Sequence, residues 1–130
     1  MKKIIPFLLS LLILAGCAGP AVQEDSYRQI GMDEAIELME NESDYILLDV
    51  RTAAEFSEKH IPGAINVPNE SIGSDELAEL PDKEQLILVY CRSGNRSKQA
   101  SEKLVKLGYT NIVEFGGIND WPGETVSGTE

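Results

Sequence analysis

The chain has 130 residues, with 11 basic against 22 acidic side chains and a formal net charge of −11. That balance argues against a nucleic-acid partner, and acids scattered along helices and tail form a solvated surface rather than a specific site. With only two cysteines, Cys17 and Cys91, the chain is no disulfide-stapled scaffold.

In chain order, the first sixteen residues read as a targeting segment. Lys2 and Lys3 form a basic start, Ile4 to Leu14 is apolar apart from Pro6 and Ser10, and Leu14-Ala15-Gly16-Cys17 closes it with small residues. An apolar stretch of about 11 residues suits a signal peptide and falls well short of the roughly 20 that span a bilayer. The segment resembles a bacterial lipoprotein signal, which implies cleavage before Cys17 and lipidation of that cysteine. An ordinary cleaved signal and an uncleaved anchor are the alternatives. Loss of Lys2 and Lys3 leaves 9 basic residues against 22 acids, or −13. Residues 17–26 then form a lipidated tether, 27–123 one domain, and 124–130 an acidic tail. A domain of this size buries roughly 60 to 70 per cent of its unfolded surface and needs no metal or disulfide.

Within the domain, Met32 to Glu40 carries apolar residues at helical spacing, stopped by Asn41 and Ser43. Tyr45 to Val50 is an apolar run fit for a strand buried on both faces. Thr52-Ala53-Ala54-Glu55 has capping-box spacing, predicting a helix to about Lys59 that His60-Ile61-Pro62-Gly63 breaks. His60, the one histidine, suits this turn better than acid–base work. Ala64 to Val67 predicts a short strand, and Ser74 to Leu77 a helix start ended by Pro81. Gln85 to Tyr90 is the strongest strand signal. Ser97 to Leu107 predicts a helix with Ala100, Leu104 and Leu107 on one stripe and Gly108 as its stop. Asn111 to Phe115 is a last strand before Gly116-Gly117 and Trp121. Strands alternating with helices over short connections imply an α/β fold with a central, mostly parallel sheet flanked by helices. Ligand sites in such folds lie beyond the carboxyl ends of strands.

Cys91-Arg92-Ser93-Gly94-Asn95-Arg96-Ser97 sits where a strand turns into a helix. Backbone N–H groups and the positive end of the helix dipole converge there, and Arg92 and Arg96 add charge on an otherwise repelling surface. Such surroundings lower a thiol's pKa and make it reactive. A lipidated Cys17 carries a thioether and cannot pair, which leaves Cys91 as an unpaired thiol in an exported chain. An inert buried cysteine is disfavoured by the polar residues that follow it. Gly94 reads as the residue that lets the backbone curl with positive φ, and Ser97 as a helix cap.

Taken together, Leu47-Leu48-Asp49-Val50-Arg51-Thr52, Glu55-Phe56, His60 to Pro68, Cys91 to Ser97 and Gly116-Gly117-Ile118 with Trp121 resemble, in that order, the single-domain rhodaneses. The resemblance covers about residues 27 to 123. It implies the rhodanese-like three-layer fold and a thiosulfate sulfurtransferase-like enzyme whose cysteine cycles through a persulfide. Lys59 departs from the family's usual glycine, with a small expected effect on the turn.

On this reading Cys91 is the catalytic nucleophile, and Arg92, Ser93, Gly94, Asn95 and Arg96 form the substrate-binding cradle. Arg96 braces the loop and faces the donor, while Arg92 meets substrate at the rim. Asp49 would orient an arginine or the loop, and Arg51 would hold Glu55 or the active-site wall, both as supporting residues with Ser97. No metal or cofactor is expected. The implied partners are a small sulfur-donor anion, a thiol or cyanide acceptor, a protein sulfur acceptor or reductant, and a membrane reached through the lipid. The domain is expected as a monomer in an extracytoplasmic, lipid-anchored location.

Two rival readings remain. Phosphatase or arsenate-reductase chemistry uses a similar cysteine loop, but four residues intervene between Cys91 and Arg96 where the tyrosine-phosphatase loop has five. A membrane-tethered binding or redox-sensing module would need neither Cys91 nor Arg96, though export exposes Cys91 to oxidants.

Overall fold

A computed structural model describes residues 26–129; the signal segment, Cys17 and nearly all of the tether lie outside the described residues. The strands are β1 (Arg28–Gln29), β2 (Tyr45–Asp49), β3 (Ile65–Asn66), β4 (Leu86–Cys91) and β5 (Ile112–Gly117). The helices are α1 (Met32–Asn41), α2 (Ala53–Glu58) and α3 (Asn95–Lys106). The strands form one parallel sheet in the order β1-β5-β4-β2-β3. The three-layer α/β architecture with a central parallel sheet expected from the sequence is therefore present.

Side-chain alternation along the central strands sorts the core into two layers. On one face Leu47, Leu88, Tyr90, Val113 and Phe115 pack with Ala35 of α1 and Phe56 of α2. On the other, Leu48, Val50, Ile87, Val89, Cys91 and Ile112 pack with Ala100 and Leu104 of α3. Cys91 thus ends β4 on the α3 side. The same alternation turns Glu114 to that side, between the inward neighbours Val113 and Phe115.

Local chemistry explains most boundaries. Thr52 and Glu55 form the expected capping box: Glu55 N–H donates to the Thr52 hydroxyl at 3.2 Å, and Thr52 N–H donates to Glu55 Oε1 at 2.9 Å. Lys59 lies in extended backbone, φ −168°, so the turn needs no glycine there.

Three expectations are corrected. No α-helix forms from Ser74 to Pro81, where residues 73–76 are exposed and Ile72, Leu77 and Leu80 anchor the chain to the core; so short a segment does not repay helix nucleation. A 3-10 turn at Asn69–Ser71 precedes it instead. Helix α3 starts at Asn95, two residues early, which makes Gly94 the N-cap and moves Ser97 inside the first turn. Strand β5 runs on through Gly116 and Gly117, and the two-residue β1, too short for a periodic signal, pairs with its start. Among the described residues of the C-terminal stretch, Val126 and Gly128 are tied to the domain. His60 and Val126 exchange backbone bonds at 2.8 and 2.9 Å, and Gly128 N–H donates to Ser57 O at 2.8 Å.

His60 is buried and stacks on Phe56 with ring centroids 3.7 Å apart, its Nδ1–H donating to Phe56 O at 2.8 Å. That arrangement is a turn anchor.

At the end of β2, Asp49 and Arg51 form a buried ion pair, 0% and 4% exposed. Arg51 Nη2 reaches Asp49 Oδ2 at 2.7 Å, Nε sits 3.1 Å from both carboxylate oxygens, and the Arg51 N–H donates to Oδ1 at 2.9 Å. The guanidinium also donates to Lys59 O at 2.6 Å, clamping the end of α2 to the sheet. Burial and then the Asp49 charge push the Tyr90 phenol well above its ordinary value, which keeps it neutral while its oxygen accepts Ile61 N–H at 3.1 Å. Removing one member of such a pair strands a buried charge. Asp49→Ala should therefore cost about 3–5 kcal/mol, read as a lower urea midpoint at unchanged slope.

Candidate active site

Only three residues, Arg92, Ser93 and Gly94, separate the last residue of β4 from the first of α3. Gly94 takes φ +119°, which a side chain would strain, and this curl aims its N–H at the Cys91 sulfur at 3.0 Å. A second tight approach shapes the turn from below. A Cβ on Gly117 would stand 2.0 Å from Arg92 O and 2.6 Å from Ser93 N, so the turn rests directly on the end of β5. Asn119 N–H adds a bond to Arg92 O at 3.1 Å.

Cys91 is 1% exposed, a free thiol beneath a rim of exposed Arg92, Ser93 and Asn95. Burial opposes its thiolate, but the Ser97 hydroxyl and the backbone N–H groups of Ser97, Gly94 and Ser93 outweigh that, so the thiol lies below its ordinary value. The donors on the sulfur thus come from Ser93, Gly94 and Ser97 rather than from the whole run 92 to 96.

Ser97, expected as a cap, faces the sulfur at 3.5 Å. Its hydroxyl also lies 2.5 Å from Glu114 Oε2 and 3.0 Å from Gly94 O. Glu114 is 3% exposed and accepts a further bond from Gly116 N–H at 3.0 Å. A cleft of about 340 Å³ beside the turn is lined by Ser93, Gly94, Lys98, Glu114, Gly116 and Asp120.

The arginines divide differently from expectation. Arg51 does not hold Glu55, because Asp49 two residues away takes its guanidinium. Glu55 is bound by Arg96 instead, Nη1 to Oε1 at 2.8 Å and Nη2 to Oε2 at 3.1 Å, which braces the first turn of α3 against the start of α2. Arg96 still lies within the electrostatic reach of Cys91. Sequence reasoning missed Glu114 altogether and saw Glu55 only as a cap and as a partner for Arg51. A charged residue amid Ile112, Val113 and Phe115 in a strand covered on both faces was the available signal for Glu114.

Arg96 above all holds the Glu55 carboxylate down, against burial and with help from Thr52, at about 2 rather than the ordinary 4.5. A depressed carboxylate stabilises the fold above its unfolded value and loses that contribution as pH falls. The stability gap between wild type and Glu55→Gln should be full above about pH 4.5, shrink as pH falls toward about 2 and vanish below it, as urea titrations at stepped pH would show. Gly117→Ala should push the turn off β5 and loosen donors each worth about 1.5–3 kcal/mol to a charged acceptor. Iodoacetamide alkylation of Cys91 at neutral pH should then slow by at least about tenfold.

A family model for the rhodanese-like domain matches residues 32–124, and a model for the prokaryotic membrane lipoprotein lipid attachment site matches residues 1–18. The chain is 37% identical over 73 residues to thiosulfate sulfurtransferase PspE of Escherichia coli (strain K12), covering 56% of this chain and 70% of that one. It is 34% identical over 94 residues to a sulfurtransferase of Allochromatium vinosum, covering 72% and 86%. Among solved structures, a rhodanese with anions from E. coli superposes with a TM-score of 0.59 at 34% identity, over 65% of this chain and 99% of that one. With the family model spanning well over half of its length, the chain belongs to the rhodanese-like domain family.

Proposed function

We propose that this protein is a lipid-anchored, extracytoplasmic sulfurtransferase. It moves a sulfane sulfur from a small anionic donor such as thiosulfate to a thiol, cyanide or protein acceptor through a persulfide on Cys91. The observation that carries this reading is the Cys91 sulfur itself, buried at a three-residue turn with the Gly94 N–H 3.0 Å away and the Ser97 hydroxyl beside it. Relatives named as thiosulfate sulfurtransferases support the donor class.

The chemistry follows from the donors. The Cys91 thiolate attacks the outer sulfur of the donor, a new S–S bond forms, and the old sulfur–sulfur bond breaks with its electron pair leaving on sulfite. Backbone N–H groups of the turn stabilise the charge on the persulfide without reorganising. An acceptor then attacks the outer sulfur and the Cys91 thiolate leaves. The persulfide carries its terminal sulfur about 2 Å further out than the thiol, toward the rim where an acceptor too bulky for the turn can meet it. Arg92, exposed at that rim, suits an oxyanion; Arg96, spent on Glu55, holds the turn in shape.

The lipid attachment site at residues 1–18 supports membrane tethering through Cys17. Among the described residues no helix is long and apolar enough to cross a membrane.

The test uses the detergent-solubilised chain incubated with thiosulfate. Mass spectrometry should show one added sulfur on the Cys91 peptide, lost on cyanide treatment with thiocyanate released, and neither event with Cys91→Ala. A wild type that gains no sulfur sinks the enzyme reading.

A further inference from the structure

Glu114 is a buried carboxylate on the same face of the sheet as a buried thiol, with one hydroxyl between them. Ser97 Oγ lies 2.5 Å from Glu114 Oε2 and 3.5 Å from Cys91 Sγ. The shorter distance is that of a hydrogen bond between a hydroxyl and a carboxylate. Ser97 has a single proton, and four acceptors compete for it: Glu114, Gly94 O at 3.0 Å, Gly116 O at 3.4 Å and, once ionised, Cys91. While Glu114 holds that proton's bond, Ser97 presents only lone pairs to the sulfur. A thiol can donate to them; a thiolate is repelled by them. With Cys91 and Glu114 1% and 3% exposed, two full negative charges here would also oppose each other across a poorly solvated space.

We propose that Glu114 is a positioning residue of this site that shares one negative charge with Cys91 through Ser97. As the Cys91 S–H bond breaks, its proton goes to Ser97 Oγ, while the hydroxyl's own proton passes to Glu114 Oε2. One O–H bond forms at each oxygen as one breaks at Ser97, and no electron changes owner. Ser97 is then turned to donate to the thiolate, and Glu114 is neutral. Forming the persulfide moves the negative charge to the outer sulfur, away from Glu114, so the carboxylate disfavours the empty thiolate more than the loaded site. The inference rests on the reading of Cys91 as the nucleophile.

Other charges surround the pair. Lys98 and Asp120 line the cleft that Glu114 reaches, Tyr27 feels the Glu114 charge from the N-terminal side, and Arg96, held by Glu55, lies within the electrostatic reach of Cys91. All are retained in the variants below.

The test is the pH profile of iodoacetamide alkylation, read by mass spectrometry at the Cys91 peptide of the full chain in detergent. In Glu114→Gln no second buried charge opposes the thiolate. Its profile should move to lower pH than wild type, with alkylation at pH 6 faster by about tenfold or more. A purely structural role predicts the opposite, since a loosened turn weakens the backbone donors and moves the profile to higher pH. Superimposed profiles, or a shift to higher pH, overturn the proposal. The reciprocal measurement covers a Glu114→Gln that does not fold. Carbon NMR of the Glu114 carboxyl should show a titration that moves to lower pH in Cys91→Ala, and an unchanged titration overturns the proposal as well. Neither measurement uses a sulfur donor. A failure of sulfur transfer therefore counts against the persulfide reading alone, and unshifted titrations count against charge sharing alone.

Discussion

The geometry of this protein hangs on how closely the turn after β4 can sit on the end of β5. Gly117 has no side chain, and any Cβ there would overlap the Arg92 carbonyl, so the backbone of residues 92 and 93 can lie against the neighbouring strand. That contact leaves just three residues to reach α3, and so few residues can make the connection only because Gly94 takes a positive φ. The consequence is electrostatic. Backbone N–H groups that a longer loop would give to water point at the Cys91 sulfur instead, and a thiol that burial would keep neutral is drawn toward its anion.

Around this turn the buried charges fall into two kinds. Asp49 with Arg51 is a closed pair that joins β2 to the end of α2 and also neutralises itself. Arg96 with Glu55 is a similar but half-exposed pair joining α3 to α2, so two clamps converge on the short helix α2. Glu114 differs, because its partners are a hydroxyl and a backbone N–H, neither of which carries a compensating charge. The one buried carboxylate described without a cationic partner thus lies one hydroxyl away from the one described thiol.

Much of the fold is legible in the chain. Continuous apolar runs at Tyr45–Val50 and Gln85–Tyr90 can only be strands covered on both faces, and Thr52 with Glu55 announces the start of α2 by the reciprocal bonds it makes. The failures have local causes. Ser74 to Pro81 has a helix start but only Leu77 and Leu80 to bury before Pro81 ends it, and β1 is too short for its pairing with β5 to leave a pattern. Asp49 and Glu55 are both near Arg51 in sequence, and only folding shows that the buried guanidinium reaches Asp49.

The sequence by itself pointed to the atom on which the proposed chemistry rests: a thiol at the junction of a strand and a helix, followed by small and basic residues. Tertiary structure alone decided what controls that atom. Glu114 and Gly117 approach Cys91 from a strand that the chain reaches only after all of α3, and Glu55 reaches Arg96 across 41 positions. Spacing along a chain constrains local turns and periodic faces, whereas distances between segments so remote are set by the register of parallel strands, here Cys91 beside Gly117.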